Sequence, residues 1–207
     1  MAELVLRDDH GGCAVLTLNR PDALNALSPR MFEALRAHID AIAAAEDEIG
    51  VVILTGAGRS FSAGNDLKAI QAGEIAPTPH FQAETIEALE ALPQPVIGAV
   101  KGHCYTGSVE LALGCDLIIA GESAKFCDTH GKWGMSPTWG MGSRLPRRIG
   151  VQRAKEMMYS GRVVTGAEAA TIGLALECVS DETLIERART LAAASPVRQA
   201  ATRRCGF

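Results

Sequence analysis

Two glycine-bearing runs in this 207-residue chain hold the residue types that could stabilise a developing negative charge and move a proton beside it. In the first, Lys101-Gly102-His103-Cys104-Tyr105-Thr106-Gly107-Ser108-Val109-Glu110, an apolar stretch over residues 96–100 delivers the backbone into a turn. A helix-like segment carrying Glu110 follows. At a helix start the first N–H groups have no partner inside the helix and the macrodipole is positive, so negative charge is favoured there. Gly107 has no Cβ to keep a substrate oxygen from its N–H. Glu110, three residues on, is close to one turn away, so an oxyanion donor and a proton-moving carboxylate would share one pocket. Taken alone, the run reads more simply as a βα turn with packing glycines and a solvated Glu110.

The second run is Gly56-Ala57-Gly58-Arg59-Ser60-Phe61-Ser62-Ala63-Gly64-Asn65-Asp66-Leu67-Lys68. It lacks both the Gly-Lys-Ser/Thr ending and the GxGxxG spacing of nucleotide loops, so a phosphate cradle is not indicated. Instead it offers another exposed N–H near Gly64 and Asn65 at the carboxyl end of a strand, where open α/β sheets place ligands. Asp66 also reads as a cap for the next helix. A surface loop does not account for the buried-looking Phe61-Ser62-Ala63-Gly64.

The elements that must position these runs follow from periodicity. Residues 13–18 read as a strand, with residues 4–7 pairing with it across a turn at 8–12. Ser28-Pro29 opens a helix whose Met31, Leu35, Ile39 and Ile42 share a face. Residues 51–55 form a continuous apolar strand of the kind covered on both sides in parallel sheets, so strand, helix and strand imply a right-handed crossover. Further on, residues 71–80 are an irregular connection, 85–92 a helix and 116–120 a strand. Residues 144–148 read as a turn, followed by helices over 151–160, 166–172 and 182–194 and a strand over 176–179.

Composition sets the outer limits. The chain is 47% hydrophobic and 21% charged, enough for one substantial core. A formal net charge of −4 argues against general nucleic-acid or membrane-surface binding. The acidic N-terminal stretch does not resemble a secretory signal, and the expectation is a cytoplasmic protein. Six scattered cysteines, Cys13, Cys104, Cys115, Cys127, Cys178 and Cys205, include no CxxC pair, so they imply no metal site and no disulfide framework.

Phe61-Ser62-Ala63-Gly64-Asn65-Asp66-Leu67, together with Val100-Lys101-Gly102 through Gly107-x-x-Glu110-Leu111-Ala112 to Cys115-Asp116, closely resembles the paired signatures of the crotonase superfamily, the enoyl-CoA hydratases and isomerases. Leu18-Asn19-Arg20-Pro21, Asn25-Ala26-Leu27 and Thr165-Gly166-x-Glu168-Ala169 support the match, which covers nearly the whole chain. The resemblance implies an α/β fold: a crotonase-like spiral of β-β-α repeats, two sheets wrapped by helices. An acyl-CoA-binding core would occupy residues 1–195. Residues 196–207 would begin a C-terminal helical region that looks truncated, because relatives carry further helices there. It further implies homotrimers or hexamers, an acyl-CoA substrate, and no cofactor or metal, coenzyme A entering as part of the thioester.

Carried over residue by residue, the resemblance makes the N–H groups of Asn65 and Gly107 the oxyanion hole and puts Ala63, Gly64, Asn65, Asp66, Leu67 and Lys68 against the CoA part. In hydratases of the family two glutamates flank the enoyl group. The first matches Glu110, and the second position holds His130. An imidazole with a pKa of about 6.5 suits proton transfer near neutrality, and Asp128, two residues earlier, would face the same side of an extended segment and orient the ring. Trp133, Met135, Trp139 and Met141 would line the acyl side or, for at least two of them, the core. The implied activity is reversible hydration of a 2-enoyl-CoA through a stabilised enolate. Double-bond isomerisation, decarboxylation and non-catalytic acyl-CoA binding are the alternatives.

Overall fold

The computed structural model of the chain describes residues 3–194. Val5–His10 (β1) and Cys13–Leu18 (β2) form an antiparallel hairpin closed by Gly11 and Gly12, at φ of 58° and 78°, the positive values that a two-residue type I′ turn requires. The turn is shorter than the sequence suggests because Asp8 and Asp9 continue the ladder opposite Val15 and Ala14. Ser28 caps Pro29–Ala43 (α1), its hydroxyl accepting from the Met31 N–H, and Met31, Phe32, Leu35, Ile39 and Ile42 bury one face.

Val51–Gly56 (β3) is buried throughout and pairs in parallel with β2 on one side and Val96–Val100 (β4) on the other. From β3 onward the chain repeats one unit: a strand in a large sheet, a turn, a short segment in a second sheet, then helix. After β3 comes Ser62, bridged to Cys104, and then Leu67–Gln71 (α2) and Phe81–Glu90 (α3). After β4 come His103–Tyr105 (β5) and Gly107–Leu113 (α4). Leu117–Gly121 (β6) is followed by Lys125–Cys127 (β7), a 3-10 turn at His130–Trp133, and helices Met141–Ile149 (α5) and Val151–Ser160 (α6). Val164–Thr165 (β8), Gly166–Ile172 (α7), Glu177–Val179 (β9) and Leu184–Ala193 (α8) complete the described residues.

The large sheet has the order β1-β2-β3-β4-β6-β9, and the small one β5-β7-β8. Both faces of the large sheet are covered, which is why its central strands read as unbroken apolar runs. Val52 and Leu54 face a core built with α1, α3, α4 and α5, whereas Val51 and Ile53 face Leu184, Ala188 and Ala192 of α8.

Two elements depart from the sequence reading. Residues 144–148 belong to a full helix, α5, because Met141, Leu145 and Ile149 lie four apart and are all buried. Their burial outweighs the backbone bond that Pro146 removes. Residues 103–105, expected within a turn, form a strand whose partner, residues 125–127, lies too far along the chain for local pattern to show it. Residues 196–207, expected to begin a shortened helical region, and Cys205 fall outside the described residues. Cys13, Cys104, Cys115 and Cys127 are buried free thiols, and Cys178 is half-buried.

Candidate active site

The two glycine runs meet along their backbones. The Phe61 N–H donates to the Lys101 carbonyl at 2.7 Å, the Ser62 N–H to the His103 carbonyl at 2.9 Å, and the Tyr105 N–H to the Ser62 carbonyl at 3.3 Å. The Ser108 hydroxyl adds bonds to the carbonyls of Ser62 and Tyr105. Gly64, at φ 96°, lies so close to the other run that a Cβ there would stand 2.5 Å from the Tyr105 carbonyl oxygen and 3.5 Å from Thr106 Cβ. Asn65 and Gly107, the next residue on from each side of that contact, are therefore neighbours although they lie 42 positions apart in the chain (107 minus 65).

Among the described residues neither N–H donates to another group of the protein. Asn65 is bridged to Leu27 through the Leu27 N–H to the Gly64 carbonyl and the Asp66 N–H to the Leu27 carbonyl, which leaves its own N–H out. Gly107 is the first residue of α4 and has no partner inside it. Thr106, just before it, is a β-branched residue at φ 55°, ψ −114°, a strained conformation. It is held by its N–H to the Cys127 carbonyl (2.8 Å) and its hydroxyl to that of Thr129 (2.7 Å).

One turn along α4, Glu110 is 1% exposed, not solvated. Its Oε1 accepts from the N–H groups of Trp139 (2.8 Å) and Met141 (3.1 Å), and its Oε2 lies 3.8 Å from His130 Nε2. Burial pushes the carboxyl above the ordinary glutamate range; the two N–H groups and His130 offset this only in part. On its far side the imidazole is 2.7 Å from Asp128 Oδ1 through Nδ1, and the same oxygen accepts the His130 N–H at 3.0 Å. The sequence predicts the pair in an extended segment. The chain instead turns after β7, and Asp128 closes an Asx turn that brings the ring over its carboxylate. A continuous Glu110–His130–Asp128 line of acid–base groups results.

The loop at 63–68 borders a cleft of about 570 Å³ whose walls include Arg20, Leu24, Asn65, Leu67 and Lys68. Gly107, Glu110 and His130 do not line it. Within the loop, Gly64 is buried, Ala63 is half-buried, and Asn65, Leu67 and Lys68 are exposed. The Asp66 carboxylate is occupied by the fold, capping α2 at the Ala69 N–H (3.0 Å) and pairing with Arg20 (2.7 Å). Of the four residues expected along an acyl pocket or in the core, Met141 is core. Trp133 and Met135 are 68% and 43% exposed, because the end of the 3-10 turn and the segment after it run over the surface. Of the four side chains only that of Trp139 borders the site: its ring presses on Gly107, where no Cβ would fit, and meets Phe32 edge-on at 5.1 Å. His103 bonds Ser60 and packs on Tyr105, a structural role.

Missed in the sequence were the N–H groups of Trp139 and Met141, the groups that hold Glu110 in place. They are backbone donors and leave no side-chain signature.

Two sheets threaded by a strand–strand–helix repeat, with two free amides beside a buried carboxylate, define a crotonase-type fold. The enoyl-CoA hydratase/isomerase family profile matches residues 8–201, and the chain belongs to that family of enzymes. It is 34% identical over 189 residues to the Arabidopsis thaliana protein named "Probable enoyl-CoA hydratase 1, peroxisomal", covering 91% of this chain and 71% of the relative. To the 1,2-epoxyphenylacetyl-CoA isomerase of Escherichia coli it is 36% identical over 199 residues, covering 93% and 76%. The crystal structure of an enoyl-CoA hydratase from Bacillus anthracis superposes with a TM-score of 0.90 at 36% identity, covering 97% of this chain and 81% of that one.

Proposed function

We propose that the chain adds water reversibly across the double bond of a 2-enoyl-CoA, as a cytoplasmic homotrimer or hexamer. The observation that carries the chemistry is the Glu110–His130–Asp128 line standing beside the free N–H groups of Asn65 and Gly107. In this reading the thioester oxygen sits between those two N–H groups, where preformed donors stabilise the enolate better than water can; losing one typically costs roughly 2.7–4 kcal/mol. Residues 63–68 hold the CoA part, with Lys68 offering the exposed charge and Asp66 acting through the shape of the loop. Neither metal nor redox cofactor is used.

Donation of His130 Nδ1–H to Asp128 leaves Nε2 as an acceptor facing Glu110 Oε2 across 3.8 Å. One water can give a hydrogen to each and turn its lone pairs toward the β-carbon. As its oxygen bonds to that carbon, Glu110 takes a proton and the electron pair moves to the thioester oxygen. Return of a proton to the α-carbon from the Glu110–His130 pair completes the addition. A carboxyl whose pKa burial has raised above the ordinary glutamate range holds a proton more readily than a solvated one, which suits it to both halves of that exchange.

A second reading, double-bond isomerisation, is favoured by the departure at position 130. There an imidazole replaces the expected glutamate, and one buried carboxylate beside an oxyanion hole suffices to move a proton between carbons. Incubation with crotonyl-CoA separates the readings. Loss of the enoyl-thioester absorbance with a product heavier by one water supports hydration; unchanged absorbance from folded protein refutes it. A 3-enoyl-CoA converted without change of mass would establish isomerisation.

A further inference from the structure

Glu110 does not hold its own position; the segment that holds it is itself held from behind. The two N–H groups on Oε1 come from Trp139 and Met141, which flank Gly140 at φ 109°. No regular element precedes this segment, since residues 134–138 form neither helix nor strand. The buried Met141 side chain and the Trp139 ring against Phe32 hold its two ends, and Arg144 ties down the peptide between them. The guanidinium Nη1 donates to the Trp139 carbonyl at 2.8 Å, and Nε and Nη2 both donate to Glu90 Oε2, at 2.9 and 2.6 Å. The Nη1 end of the guanidinium also fills the space beside Gly140, where a Cβ would collide with it. Glu90 is the last residue of α3, so the chain of contacts runs from α3 through Arg144 to the peptide of Trp139 and on to Glu110. Because the Trp139 ring also covers Gly107, the same anchor sets the wall of the proposed oxyanion hole.

We infer that Arg144, braced by Glu90, is a positioning residue that fixes the 139–141 peptides on Glu110 and so sets both the direction and the acidity of the carboxyl. This rests on the proposed role of Glu110, and Arg144 touches neither substrate nor reacting atoms. An arginine suits the task because its planar fork serves two acceptors at once, which a lysine cannot do with the same geometry. The titratable groups facing Glu110 are His130 and, behind it, Asp128. On the neighbouring elements, Arg148 of α5 is bound to the carbonyls of Cys115 and Asp116, Arg147 is exposed, and His103 of β5 bonds Ser60.

If Arg144 is lost, the 139–141 segment loosens and Oε1 loses N–H donation that favours its ionised form. The carboxyl is then protonated at higher pH, and the acid limb of kcat/KM moves up. Arg144→Gln is expected to lower kcat by about tenfold to a hundredfold, the scale of a small misplacement of a reacting group. Affinity for a saturated acyl-CoA should stay within about twofold, since the loop over 63–68 is untouched. Arg144→Lys should recover part of the rate, and Arg147→Gln, on the exposed side of the same helix, should change nothing.

The deciding measurement is an infrared titration of the protonated carboxyl band of Glu110, assigned by its absence in Glu110→Gln. It reads the same group without requiring turnover, so it remains valid if the enzyme proves not to hydrate enoyl-CoA. An upward shift in Arg144→Gln, a smaller one in Arg144→Lys and a smaller one again in the half-exposed Glu90→Gln support the inference. An unmoved band in Arg144→Gln overturns it. Full restoration by lysine also overturns it, since charge alone would then suffice. The Glu90 variant, altered at a surface carboxylate, keeps the test open should Arg144→Gln fold poorly.

Discussion

The two halves of the candidate site are built in different ways. The oxyanion half, residues 61–65 against 101–107, is a piece of sheet edge: backbone bonds join its two runs, and Phe61 and Cys104 are fully buried within it. The acid–base half, residues 128–141, leaves the small sheet, crosses the surface with Trp133 and Met135 exposed, and returns to lay two N–H groups on Glu110. The first half is over-determined by burial. The second is hung from side-chain contacts, among them Asp128 on His130 and Arg144 on Trp139. A scaffold of this kind can hold the oxyanion site constant while the loop that follows carries different proton-moving groups.

The largest effect should come from Glu110→Gln. Turnover should fall by about 10²–10⁴-fold, as expected for removal of a general acid–base group. Stability should move the other way. Because burial raises the folded-state pKa of Glu110 above its ordinary 4.5, the folded protein holds this proton more tightly than the unfolded chain does. The associated stability is fully present below pH 4.5 and is lost as pH rises through the folded value. At neutral pH the glutamine is spared this penalty, can still accept from Trp139 and Met141, and should melt at a higher temperature than the wild type. Melting curves at pH 4 and pH 7 check the sign, since the difference between the two proteins should shrink in acid.

His130→Ala should follow, with a loss on the order of a hundredfold in hydration. If isomerisation is measurable in the same protein, it should suffer less, because it can proceed on one carboxylate. Comparing the two losses tests whether the loop half selects the reaction. Gly107→Ala belongs to the other half. Its new methyl would strike the Trp139 ring, so we expect kcat to fall by about tenfold to a hundredfold and stability by about 1–3 kcal/mol, measured by turnover and urea unfolding. Paired substitution with a smaller residue at Trp139 should recover stability before it recovers rate.

The sequence was most informative where chemistry and fold coincide. Gly64, Asn65, Gly107 and Glu110 sit in short motifs whose spacing fixes a strand, a turn and a helix, so both runs were legible at once. The Ser28 cap and the buried faces of α1 and β3 were likewise carried by local pattern. Strand β5 was not visible, because its pairing partner lies at 125–127 and three residues carry no periodicity of their own. Helix α5 was hidden by Pro146, whose local meaning is a break and whose tertiary setting overrides it. The contact between His130 and Asp128 was anticipated for the wrong geometric reason. Nothing in the residue types at 139–141 announced that their N–H groups would carry Glu110.

The smallest effect should come from Asp66, and it separates shape from contact in the loop over 63–68. Burial alone would raise this carboxyl, but the Ala69 N–H and the Arg20 guanidinium together hold it below its ordinary 3.8. Its contribution is therefore present above pH 3.8 and lost as pH falls through the lower folded value. Asp66→Asn keeps an acceptor for Ala69 and removes the charge facing Arg20, a bond of the charged kind worth roughly 1.5–3 kcal/mol when buried and less here, where Arg20 is partly exposed. Urea unfolding should show a loss at pH 7 that narrows at pH 3. If Asp66 serves by shaping the loop, kcat should fall only a few-fold through a loosened Asn65, with KM for the acyl-CoA little changed. A large rise in KM with kcat preserved would instead make the carboxylate a direct contact for the substrate, and the loop would then bind through its side chains as well as its backbone.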